Sequence, residues 1–222
     1  MTRIIAMTCL ALAVAGFVWA YARINKMNSQ IGLLTDAVLI QNERLQIRSI
    51  MIKSQISQAD DPVVFVGDSI VEAALLPQDI DGHRTVNAGI GGTTPQLYLS
   101  LIRETGLLNG LNSAHAIILS IGTNSAKETP PFRYFEGNYL ALVENLRQKT
   151  KNLVLVAVPE IESSRELDPA KIAEINATIK ATASRLGLRF VDMPHIKTMD
   201  GVHPNAEGYK TWLSRIVSGL TS

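Results

Sequence analysis

From residue 63 onward, short apolar runs alternate with longer stretches whose apolar positions recur every three or four residues. Val63–Val66 is wholly apolar, as expected of a strand buried on both faces of a parallel sheet. Thr85-Val86-Asn87 is a shorter candidate, and His115–Ile121, Leu153–Val158 and Arg189–Val191 complete five predicted strands. Between them the pattern predicts helices. One runs from about Pro95 to Thr105, and a second carries Phe135, Tyr139, Leu142, Val143 and Leu146 on one face. Asp168-Pro169 reads as the N-cap and first residue of a third, with Ile172, Ile175, Ile179 and Leu186 as its apolar stripe. A last helix runs from about Asn205 to Ser218. Regular strand–helix alternation implies an α/β fold, a three-layer α/β/α sandwich around a parallel sheet. In such sheets ligands bind beyond the carboxyl ends of the strands.

Ahead of this region the pattern changes twice. Ile4 to Tyr21 is apolar apart from Thr8, with Arg3 before it and Arg23 and Lys26 after it. As a helix these residues span about 27 Å, close to the roughly 30 Å hydrocarbon core of a bilayer. The stretch reads as a transmembrane signal anchor. A cleaved signal peptide is one alternative, because Ala20-Tyr21-Ala22 resembles a small-residue cleavage site, and a buried soluble helix is another. From Arg23 to Ser57 there is no Pro, and Ile24, Met27, Ile31, Leu34 and Val38 alternate as in a coiled coil, with Leu45 and Ile52 continuing one seam. Gln41 and Arg48 interrupt that seam. Two readings stand side by side: a helical stalk through which the chain forms a homo-oligomer, or an amphipathic helix lying on the domain or the membrane. Asp60-Asp61-Pro62 then ends the helix. The expected organisation is an anchor over 1–22, a coiled-coil-like stalk over 23–59 and a globular domain over 60–222.

Composition narrows the partners. Net charge is +1 and no basic stripe stands out, so nucleic acid is not an expected partner. Cys9 is the only cysteine, which excludes an intrachain disulfide and a thiolate metal site. No pair among His83, His115 and His195 has metal-ligand spacing in sequence, so no metal or cofactor is expected and these three read as structural or surface residues.

The candidate chemistry lies in four segments at or just after predicted strand ends: Gly67-Asp68-Ser69, Asn87 to Gly92, Gly122-Thr123-Asn124, and Asp200-Gly201-Val202-His203-Pro204. An Asp three residues before a His aims the imidazole, leaving its far nitrogen free to take a proton from a serine hydroxyl. Taken singly, such segments are more often turns or helix caps than parts of an active site. Together they supply the nucleophile, base, orienting carboxylate and oxyanion donors that acyl transfer needs.

In these blocks the chain resembles the SGNH hydrolase (GDSL esterase/lipase) superfamily, over about Pro62 to Leu220. The resemblance implies a flavodoxin-like sheet of order 2-1-3-4-5 and an esterase. It makes Ser69 the nucleophile, His203 the base and Asp200 its partner, with the oxyanion held by Ser69, Gly92 and Asn124. Asn87 to Gly92 is especially similar to acetylhydrolases of the platelet-activating-factor type, although Thr93 stands where an Asp commonly follows. The first block is followed by Ile70-Val71-Glu72-Ala73-Ala74 and lacks the common glycine. The expected substrate is a short-chain ester, acetyl above all, on a small molecule or glycan. An O-acetyltransferase, a lipid or thioester hydrolase and a non-catalytic membrane-anchored scaffold are the alternatives. The catalytic domain is expected on the extracytoplasmic (periplasmic) side of a membrane that the N-terminal helix spans once. Should Ser69 open a helix, its dipole is expected to assist the oxyanion.

Overall fold

Val63–Gly67 forms β1, and each of its five residues is buried. The computed structural model describes residues 2–127, 134–160 and 167–221, with the side chains of 2–15, 29, 31–40 and 221 outside that description. In chain order the elements are α1 (Thr2–Ser57), β1, α2 (Ser69–Glu72), β2 (Asp79–Ile80), β3 (His83–Gly89), α3 (Pro95–Thr105), β4 (Ala116–Ser120), α4 (Phe135–Arg147), β5 (Leu153–Val156), α5 (Pro169–Leu186), β6 (Arg189–Val191) and α6 (Ala206–Thr221). A single turn of 3₁₀-helix covers Thr123–Ala126.

β1 lies between β3 and β4, and the sheet continues through β5 to β6, all in parallel register. The strand order is β2-β3-β1-β4-β5-β6, which differs from the five-stranded 2-1-3-4-5 expected. The difference is β2, which pairs antiparallel with β3 at the edge. Asp81 and Gly82 join the two with φ of 53° and 81°. Two consecutive left-handed residues make the tight turn that matches strand twist, and Asp-Gly suits it because glycine meets no Cβ penalty there. Two residues of strand are too few to register as a hydrophobic run.

The two faces of the sheet are both covered. Val63, Phe65, Ala116, Ile118, Val154 and Val156 pack with Ile70 and Val71 of α2 and Trp212 and Ile216 of α6. Val64, Val66, Ile117 and Leu119 alternate with them and are equally buried on the opposite face. There α3 packs on α4 and α4 on α5. Near-complete burial on both sides explains why the strands read as continuous apolar runs rather than as alternations.

The chain divides into two units, Met1–Ile47 and Arg48–Ser222. The second begins ahead of Asp60, because the last turns of α1 belong to it. Ile52 and Ile56 are buried there. Ile52, expected on an oligomer seam, is thus a core residue of its own chain. Ile24 and Met27 in the first unit are exposed, while Ile31, Leu34 and Val38 of that seam lie outside the described side chains, as does Cys9. Among the described residues no helix is long and apolar enough to cross a membrane. The expected transmembrane segment is therefore not found there. Much of its apolar run, residues 4–15, falls where side chains are not described.

Candidate active site

Ser69 follows the carboxyl end of the central strand. Gly67 closes β1 against β4, where a Cβ would sit 2.1 Å from the Ser120 carbonyl oxygen and 2.3 Å from Val71 Cγ2, so only glycine fits that approach. Asp68 then caps α2, its Oδ1 accepting from the Ile70 N–H at 3.1 Å. Burial pushes the Asp68 carboxyl above its ordinary range, opposed by hydrogen bonds from Ile70 and from the Gly122–Thr123 loop. Ser69 is the first residue of α2, but α2 is a single turn of four residues. One turn sums few peptide dipoles, so any help to an anion comes from local N–H groups and not from a long helix.

His203 reaches Ser69 from the other end of the chain. The Ser69 Oγ and His203 Nε2 are 3.0 Å apart, and His203 Nδ1 lies 2.6 Å from Asp200 Oδ2. Asp200 Oδ1 also accepts from the backbone N–H groups of His203, at 2.7 Å, and Val202, at 3.0 Å. The backbone and side-chain hydrogen bonds from His203 hold the Asp200 carboxyl down at about 2, against an ordinary 3.8. An ionised carboxylate at Nδ1 requires a proton there, which leaves the Nε2 lone pair facing the serine hydroxyl. That is the tautomer a general base needs.

The loop carrying the pair is itself pinned. The Met199 N–H donates to the His203 carbonyl at 2.8 Å and the Asn205 N–H to the Lys197 carbonyl at 3.0 Å. Asn205 Oδ1 caps α6 through the N–H groups of Glu207 and Gly208. Further along α6, the Tyr209 hydroxyl donates to the Ile70 carbonyl at 2.9 Å, and its ring meets Trp212 edge-on. Trp212 in turn packs against Phe65 of β1. A chain of contacts thus ties the helix after His203 to the helix that begins with Ser69. Burial, with the charges of Asp68 and Asp200, pushes the Tyr209 phenol up to about 12, so it stays a donor.

Asn124, in the turn after β4, is hydrogen-bonded to the loop after β3 that carries Gly92. Gly92 has φ of 80°, and the next carbonyl, that of Thr93, accepts from Asn124 Nδ2 at 3.1 Å. A carboxamide has two N–H donors, so one remains for a further acceptor. The Ile90 N–H donates to the Gly67 carbonyl at 2.9 Å, which seats this loop beside the end of β1. Asn87 serves as an organiser. Its Nδ2 donates to the carbonyls of Val71, at 2.8 Å, and Ala74, at 3.2 Å, closing α2.

Two further residues support the loop and were not singled out from sequence. Glu72 Oε2 accepts from the Gly91 N–H. Arg48, at the end of α1, donates from Nε to the Gly89 carbonyl at 2.8 Å and from Nη2 to the Asn87 carbonyl and Oδ1 at 2.9 and 2.7 Å. It also faces Glu72 at 3.9 Å, with both side chains largely buried. Glu72 stands in the stretch where the family's common glycine is missing, and the seam-breaking polarity of Arg48 was the only hint of its role. His195 is exposed, whereas His83 and His115 meet at the opposite end of the sheet.

A family model for the GDSL-like lipase/acylhydrolase family matches residues 65–211, which hold all five candidate site residues. The chain belongs to the GDSL-like lipase/acylhydrolase family. As a GDSL-like acylhydrolase it is an ester-hydrolysing enzyme. The fold of this acylhydrolase is also that of solved structures. A protein of Streptococcus pneumonia named for platelet activating factor is 22% identical, with TM-score 0.64 over 83% of this chain and 98% of that one. A member of the lipolytic G-D-S-L family from Veillonella parvula is 19% identical, with TM-score 0.62 over 72% and 98%. An acetylxylan esterase from Geobacillus stearothermophilus is 18% identical, with TM-score 0.58 over 73% and 94%. No curated protein sequence matches the acylhydrolase.

Proposed function

We propose that the enzyme hydrolyses short-chain carboxylic esters through an acyl-enzyme on Ser69, with acetyl groups on a carbohydrate as the leading substrate. The observation that carries this reading is the continuous relay from Ser69 Oγ to His203 to Asp200, at 3.0 and 2.6 Å. His203 Nε2 takes the Ser69 proton as Oγ bonds to the ester carbonyl carbon, and the carbonyl electron pair moves onto oxygen. The Ser69 and Gly92 N–H groups and the second Asn124 N–H stabilise that oxyanion. On collapse, the leaving alkoxide departs with the proton from His203. Water then repeats the cycle on the acyl-enzyme, with His203 again as base, and releases the carboxylic acid. Asp200 stabilises the transient imidazolium without taking its proton.

The acetylxylan esterase of the same fold supports the carbohydrate side of the proposal. A panel of p-nitrophenyl and glycan esters of increasing acyl length tests it. Hydrolysis that peaks at acetyl supports the reading, and a peak at long chains overturns the substrate assignment. We also propose that the apolar N-terminal run tethers the enzyme to a membrane with its catalytic domain on the extracytoplasmic side. The hydropathy of Ile4–Tyr21 supports this, as does the exposure of Phe17, Val18, Trp19 and Tyr21. Recovery of the full chain in carbonate-washed membranes, with the domain digested by protease added outside, is the expected result. A wash-released protein contradicts the tether.

A further inference from the structure

We propose that Asp61, His83 and His115 form a binding site for one divalent transition-metal ion of the zinc class, at the amino-terminal edge of the sheet. The parallel register builds it. Thr85 of β3 and Ala116 of β4 both pair with Val63 of β1. Asp61 lies two residues before Val63, His83 two before Thr85 and His115 one before Ala116, so residues at or just ahead of the starts of three neighbouring strands meet in one place. Residues scattered over more than fifty positions in sequence thereby place one ligand atom each within 4.8 Å of one another.

The spacing of the Asp61 carboxylate from the two rings suits a metal better than a hydrogen bond. Asp61 Oδ2 lies 3.4 Å from His83 Nδ1 and 3.5 Å from His115 Nδ1. Good N–H···O bonds are nearer 2.9 Å. Ligands about 2.0–2.1 Å from a tetrahedral ion stand roughly 3.3 Å apart, close to the separations observed. The donor set points to the ion. Two imidazoles and one carboxylate favour zinc, nickel or copper over magnesium or calcium, which take mainly oxygen. The two rings are stacked, centroids 3.5 Å apart and 18° from parallel. To close on one ion they swing apart, and His83 Nδ1 gives up its 2.9 Å contact with the Asp61 carbonyl. The side chains are at the surface, His83 28%, His115 43% and Asp61 52% exposed, so a fourth position faces water.

The ion's role is to clamp the amino ends of β3, β1 and β4. Ser69 lies past the other end of β1, whose five residues span about 17 Å. The site is therefore separate from the candidate active site and independent of the esterase reading. By mass action, bound metal raises the stability of the folded chain.

Titration of the full-length protein with Zn²⁺ against a chromophoric chelator tests the proposal, with thermal melts at each zinc level. The expected result is one ion per chain at micromolar zinc, a higher melting temperature with metal, and binding weakened at least about tenfold in His83→Ala and in His115→Ala. Asp61→Asn, which keeps the side-chain shape, is expected to weaken binding in the same direction. His203→Ala, which removes the other histidine–carboxylate pair, is expected to bind as wild type does. No saturable binding below millimolar zinc overturns the proposal. So does binding that survives all three cluster variants, or that is lost in His203→Ala.

Discussion

Arg48→Met tests whether the last turns of α1 hold the Asn87–Gly92 loop in place. The change removes donors to the Gly89 carbonyl, the Asn87 carbonyl and Asn87 Oδ1, at 2.8, 2.9 and 2.7 Å. It also strips the Glu72 carboxylate of a cation at 3.9 Å, in a place where the two side chains are only 11% and 22% exposed. Breaking a buried charged pair by removing one partner costs about 3–5 kcal/mol. Glu72 keeps the Gly91 N–H and partial access to water, which lowers this to about 2–4 kcal/mol. For a domain of this size that lowers the melting temperature by roughly 5–15 °C. Losing a whole oxyanion donor costs about 10²–10³ in turnover. A loop that is displaced but not deleted is expected to cost about 10–10² in kcat, with KM little changed. Thermal melts and steady-state kinetics on a short p-nitrophenyl ester provide the two readouts. The double variant Arg48→Met with Glu72→Gln removes the carboxylate charge that faced Arg48 and is expected to recover part of the stability. Arg48→Met that melts within about 1 °C of wild type and keeps kcat within about twofold refutes the reasoning.

Asn124→Ala is expected to lower kcat by about 10²–10³ without unfolding the domain, measured at saturating ester and checked by circular dichroism. Tyr209→Phe deletes the hydroxyl that donates to the Ile70 carbonyl, and urea denaturation is expected to show a loss of about 1 kcal/mol. Asp200 titrates at about 2 in the folded chain against an ordinary 3.8. A depressed folded value adds stability above the unfolded value and loses it as pH falls through the folded one. Wild type is therefore expected to lose an increment of stability between about pH 4 and pH 2 that Asp200→Asn does not lose. Parallel urea curves across that range decide the matter.

How much of this was legible in the sequence depended on how local the cause was. α5 begins where Asp168-Pro169 places a capping side chain ahead of a proline, and that cap is present. β1 and β4 were legible because burial on both faces leaves an unbroken apolar run. β2 is two residues long, and its signal was the Asp81-Gly82 pair rather than any hydrophobic pattern. The four blocks were legible as residue types, but their convergence is a property of the sheet. Ser69 and His203 meet across 134 positions. Arg48 was read as a flaw in a coiled-coil seam because its acceptors lie 39 and 41 residues away. His83 and His115 lacked ligand spacing in sequence because strand register, not helical or turn periodicity, brings them together.

The same distinction separates the positions proposed to carry chemistry from those that hold them in place. Ser69, His203 and Asp200 form the relay. Gly67, Asn87, Glu72, Arg48 and Tyr209 hold the turns and loops that align it. The most direct test of the central claim is to treat the full chain with a fluorophosphonate and locate the adduct by peptide mass spectrometry. A single phosphonylated residue at Ser69, with labelling abolished in His203→Ala, is the predicted result. An adduct on another serine, or wild-type labelling in Ser69→Ala, contradicts it.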